Sequence, residues 1–102
     1  MAHFLVTMEH APDSCAFTDR VRRQRALDAA TGMSSLAQSH GIAMHSAVAN
    51  VVGHRTYLHV EAPDAAAIER LLIDTGLFAQ NTCAIEAVRP MPEVAQLLAA
   101  TG

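Results

Sequence analysis

Apolar and polar positions alternate along "HFLVTMEH" (His3–His10), which predicts a strand bounded by Ala-Pro-Asp. Phe17 to His40 reads as helical, with Gly32 a break and Gly41 a C-terminal stop. "IAMHSAVA" (Ile42–Ala49) predicts a second strand and Asn50–His54 a hairpin loop, with Gly53 available for positive φ. "RTYLHVEA" (Arg55–Ala62) alternates as a third strand. The clearest element follows: Asp64 as N-cap, Ile68, Leu71 and Leu72 at helical spacing, Gly76 as the stop. Cys83–Pro90 predicts a fourth strand. Pro92 opens a short terminal helix with Val94, Leu97 and Leu98 on one side.

The resulting order, β-α-β-β-α-β, is the ferredoxin-like arrangement of a single α+β domain over residues 1–102. Right-handed crossovers place the strands in the order 4-1-3-2 and both long helices on one face. The other face is left open. Hydrophobic residues make up 51% of the chain, which has little interior to hold them. A homodimer through the open face, of the dimeric α+β barrel type, is the expected solution. The terminal helix is expected to pack on the partner or on a sheet edge, because its apolar side needs burial.

Charge excludes more than it suggests. The formal charge is −3 and all seven basic residues are arginine. Arg22, Arg23 and Arg25 fall in one helical stretch, a solvated face. Nucleic-acid binding needs a broader basic footprint with aromatic stacking partners, and aromatics are only 4%. No apolar run approaches the roughly 20 residues of a membrane span. "MAHFLV" lacks the pattern of a signal peptide, so a cytoplasmic location with two free thiols is expected.

Strand alternation then sorts the chemistry. His3, Leu5, Thr7 and Glu9 fall on the open face, as do His45, Ala47 and Ala49 of the second strand and Tyr57, His59 and Glu61 of the third. Met44, Ser46 and Val48 fall toward the helices. A five-residue loop from Asn50 to His54 pairs His45 with His59. Opposed side chains have Cβ atoms about 5 Å apart, near enough for two imidazoles to share an ion. His3, His45, His59 and Glu61 thus form a candidate metal site of three nitrogens and a carboxylate, suited to nickel, copper, zinc or iron. A polar dimer interface and a small-molecule pocket are the alternatives for the same residues.

A second group gathers at the other end of the first strand. His10 ends that strand, Cys15 follows the "APDS" turn, and Cys83 begins the adjacent fourth strand with Asn81 nearby and the His54 hairpin at the same end. A thiol near a helix N-terminus has a lowered pKa and is reactive. Alternatively, Asp13 or Ser14 caps the helix and Cys15 packs as a small hydrophobe. No Gly-rich phosphate loop, nucleophile elbow, CxxC or HExxH is present, and no organic cofactor is expected.

"TYLHVEAPDAAAIERLLIDTGL" resembles a ferredoxin-like family of small bacterial proteins that includes a nickel-binding dimer. "HAPDSC" is similar to a His-x-Pro-acid-Ser-Cys motif of uncharacterised relatives. The resemblance implies the fold, a dimer and a divalent transition metal such as nickel, copper or zinc. It assigns no ligands. Two other functions compete. One is a cofactor-independent enzyme (monooxygenase, isomerase or cyclase) with His10 as proton shuttle. The other is a non-catalytic accessory subunit.

Overall fold

In a computed structural model that describes residues 1–102, these local signals become four strands and four helices. β1 (Ala2–Glu9) pairs antiparallel with both β3 (Arg55–Ala62) and β4 (Thr82–Val88), and β2 (Ala43–Asn50) pairs with β3. The sheet order β2-β3-β1-β4 is the order 4-1-3-2 read from the other edge. The chain is therefore α+β with one antiparallel sheet, compatible with a ferredoxin-like fold.

Alternation in β1 and β3 decides where the core sits. Phe4, Val6, Met8, Leu58 and Val60 point to one face. There they join Ala37 of α1 (Arg20–Ser39) and Ile68, Leu71 and Leu72 of α2 (Ala65–Asp74) in one buried cluster. His40 Nε2 donates to Asp74 Oδ2 at 2.8 Å, which ties the C-terminal ends of the two helices together.

α1 starts later than expected. Asp13 and Ser14 do not cap it: they belong to a separate 3-10 turn, Pro12–Ser14. Asp19 is the cap, with Oδ1 accepting from Val21 N at 2.9 Å and Arg22 N at 3.2 Å. These backbone bonds, that from Arg22 foremost, hold its carboxyl below the usual carboxylate range. Nor does Gly32 break the helix, which runs on to a stop at Gly41 with φ +72°. One missing Cβ weakens a helix without ending it when the backbone ladder continues on both sides. A Cβ at Gly32 would meet only Leu36 Cδ1, at an ordinary 3.8 Å. Gly32→Ala should therefore raise stability by about 1 kcal/mol in urea unfolding; a loss of stability would show that the position needs glycine.

α2 follows its local signals closely, with Asp64 Oδ1 accepting from Ala67 N at 2.9 Å and Gly76 turning away at φ +77°. A single turn not anticipated from sequence, α3 (Leu77–Gln80), leads from Gly76 into β4. α4 (Met91–Ala100) closes the chain and contains no buried residue. The molecule is correspondingly long, 56 × 29 × 17 Å.

The β2–β3 hairpin departs from the expected register. Asn50, not Ala49, pairs with Arg55, and the ladder runs Val48 to Tyr57 and Ser46 to His59. The pairing then slips between Met44 and Ser46, so that Met44 meets Val60 and His45 is the extra residue of a β-bulge. Ser46 and Val48 consequently share the open face with His59 and Tyr57, and Ala47 lies with Leu58 on the helix side, reversing their expected sides. The turn explains the shift. Asn50 Oδ1 accepts from Gly53 N at 2.9 Å, folding the Asn50 side chain over the loop. A Cβ at Gly53 would lie 2.5 Å from Asn50 Nδ2, so Gly53 permits a close approach rather than a positive φ. His54 takes the left-handed conformation instead, at φ 57°.

Candidate functional site

Two histidine groups occupy opposite ends of the sheet. On the open face, His3 of β1 lies directly opposite Glu61 of β3, and Leu5 opposite His59. The bulge adds His45 from β2. Two consecutive residues of a bulged strand can point to one side, so His45 keeps the open face although Ser46 also occupies it. The three imidazole centroids stand 4.9 to 5.6 Å apart.

The contacts divide these residues by role. His45 Nε2 donates to Glu61 Oε1 at 2.7 Å, and His3 Nε2 lies 3.8 Å from the same oxygen. His3, His45 and Glu61 each bring a ligating atom within 4.8 Å of the others. Ligand atoms around a tetrahedral zinc, each about 2.0–2.1 Å from it, stand roughly 3.3 Å apart. Small rotamer changes would bring this trio to that spacing. His59 sits behind it: its Nε2 is 3.0 Å from His3 Nδ1, the nitrogen turned away from Glu61. The structure corrects the expected register: Ser46, not His45, lies opposite His59, although the His45 and His59 ring centroids still stand 4.9 Å apart. His59 is placed to orient the ring of His3 and set its tautomer, as a carboxylate or carbonyl does behind many metal-binding histidines. Glu61 is held below the usual glutamate range, first by the hydrogen bond from His45 and then by the charge of the neighbouring rings, with burial opposing.

At the other end, His10 Nδ1 donates to Asn81 Oδ1 at 3.3 Å, while Asn81 Nδ2 donates to Leu77 O at 3.1 Å and so turns its oxygen toward the imidazole. The His54 ring meets His10 edge to face, with centroids 5.1 Å apart. Cys15, buried at the end of the 3-10 turn, is close to both rings. It precedes the Asp19 cap and so lies outside α1. Cys83 does not join this group. It pairs with Met8, points to the helix side and packs against the core. Burial there pushes its thiol pKa up. The member that sequence reasoning missed as a ligand is His54. Its place in the hairpin loop was legible, but the left-handed backbone that turns its ring inward was not.

Between α1 and the sheet lies an apolar cavity of about 460 Å³. It exists because α1 presents Ala26, Ala29, Ala30 and Ser34 over Met8 and Leu58, too small a set to fill the gap. His10 and Asn81 stand in its wall.

Fold and side chains together define an α+β protein with an antiparallel sheet and two separate groups of residues that could hold a metal ion. No helix is long and apolar enough to cross a membrane. No family model, curated protein or solved structure matches the chain.

Proposed function

We propose that this chain is a cytoplasmic, homodimeric transition-metal-binding protein, a buffer, sensor or carrier of nickel, copper or zinc. The observation that carries the reading is the open-face group: His3, His45 and Glu61 with ligating atoms mutually within 4.8 Å, backed by His59. Imidazole with carboxylate suits these ions, and the anionic Glu61 offsets part of their charge. Support for a dimer comes from burial. Only 13 of 102 residues are buried, and Val48 on the open face and Leu97 and Leu98 of α4 are exposed, so a second copy would remove apolar surface from water. It would also shield the ion from solvent.

The test is elemental analysis of protein purified without an affinity tag, beside sedimentation at micromolar concentration. Metal near one equivalent or more per chain in a dimer is expected. A monomer that stays metal-free after incubation with nickel, copper and zinc would sink the proposal. The cavity supports a second reading, a small-molecule enzyme in which His10 moves a proton. Thermal stabilisation by apolar small molecules, lost when Ala29→Leu fills the cavity, would favour it.

A further inference from the structure

We propose a second metal site, built from His10, Cys15 and His54, that takes a borderline-soft ion of the zinc and copper class. It rests on geometry at the opposite end of the sheet and stands whether or not the open-face group binds metal.

The argument begins with two orphaned nitrogens. His10 Nε2 and His54 Nδ1 are both closed off from solvent, and neither has a hydrogen-bond partner. Buried polar atoms are nearly always paired, because an unpaired one keeps the cost of losing its water. Two in one place call for an explanation. Each of these rings also has a ligating atom within 4.8 Å of Cys15 Sγ and of the other ring. An ion coordinated by both nitrogens and the sulfur would satisfy both rings at once.

The surroundings prepare the ligands. The bond from His10 Nδ1–H to Asn81 Oδ1 leaves Nε2 as the bare nitrogen, the tautomer that ligation requires. Asn81 is itself held by Leu77 O. His54 is fixed by its backbone: its carbonyl accepts from His10 N at 3.2 Å, and its φ of 57° is uncommon for a side-chain-bearing residue. Non-glycine residues in that conformation cluster at functional sites. Cys15 is held by the turn, its N–H donating to Pro12 O at 3.3 Å. Two stretches distant in sequence, the His10–Cys15 turn and the His54 hairpin, therefore deliver three donors with little freedom left to lose.

The donor set chooses the ion. Two imidazoles and a thiolate suit zinc or copper and are poor partners for magnesium or calcium, which prefer oxygen. Binding exchanges the thiol proton for the metal: Cys15 loses H⁺ to solvent and its sulfur forms the new bond. Access runs through a recess of about 100 Å³ whose wall contains His10, Cys15 and His54. Three protein ligands leave a fourth position free, the form of zinc sites that handle a further ligand.

Cobalt(II) titration of metal-free protein, with cobalt standing in for zinc, reads the sulfur directly. The expected result is a thiolate-to-cobalt charge-transfer absorption that is present in His45→Ala and absent from Cys15→Ser. Cobalt bound at the open face gives no such band, so failure of one site is distinguishable from failure of the other. His54→Asn, which tolerates positive φ, should lower affinity by roughly 10-fold or more while leaving the helical circular dichroism unchanged. X-ray absorption of zinc-loaded His45→Ala needs no change at the site itself and should show a sulfur neighbour at about 2.3 Å. A band that survives in Cys15→Ser, or a zinc shell of nitrogen and oxygen alone, would overturn the proposal.

Discussion

His45→Ala abolishes nickel, copper and zinc binding at the open sheet face while Cys15→Ser leaves it intact: this is the expected outcome of titrating metal-free protein. The loss should exceed the roughly 10- to 100-fold that removing an outer-shell partner costs. His59→Ala, which deletes only the residue behind His3 Nδ1, should fall within that smaller range. The contrast between the two variants is the sharp part of the prediction. Equal effects would mean that His59 ligates directly, and an unaffected His45→Ala would remove the open-face site altogether. The pH dependence follows from the same groups. Imidazole binds metal as the neutral base, so affinity should fall as pH is lowered. Glu61 does not set that limit. Its pKa lies below the ordinary value, so its contribution is intact above that value and is lost only as pH falls through the folded one. A midpoint in the carboxylate range would assign the control to Glu61 instead.

Leu71→Ala carries the largest expected effect on stability. Leu71 is 1% exposed in a cluster of 11 buried residues, so deleting its methyl groups leaves a cavity in a core with few other members. Such changes cost about 2–5 kcal/mol against a total of roughly 5–15 kcal/mol for a small domain. Near the middle of that range, the melting temperature should drop by about 15 °C. Leu98→Ala is the control. At 70% exposure it should change the stability of the isolated chain by less than about 0.5 kcal/mol. If a second copy covers α4, the same substitution weakens self-association in sedimentation. A Leu71→Ala protein that melts with the wild type would mean that the core does not rest on α2.

Local chemistry was enough to place several elements. Asp64, the Ile68-Leu71-Leu72 spacing and Gly76 specify α2 within one stretch of chain, because a cap, an apolar stripe and a left-handed stop each act over a few residues. β1 and β3 were equally legible, since alternation assigns faces wherever one side of a strand is buried. Those faces put His3, His59 and Glu61 on the same side of the sheet, and the β1–β3 pairing then brings them together.

Where the chain had to choose a partner, tertiary structure decided. Gly32 looked like a break because glycine is a poor helix former, but continuing the ladder from Asp19 to the stop at Gly41 outweighs one residue's propensity. The hairpin register depended on Asn50 folding over Gly53, which shortened the loop by one residue and moved every β2 side chain from Ser46 onward to the opposite face. A bulge then absorbed the slip and left His45 beside Glu61. No local pattern marks a bulge, because it reconciles two ladder registers that are set at opposite ends of the strand. The rim group has the same origin. His10, Cys15 and His54 are ordinary in their own segments and meet only because β1 and β3 pair, bringing the His54 turn against the end of β1. Sequence determined most of the elements and the faces of β1 and β3; pairing across the sheet decided the faces of β2 and which donors meet, because register is a property of two strands and never of one.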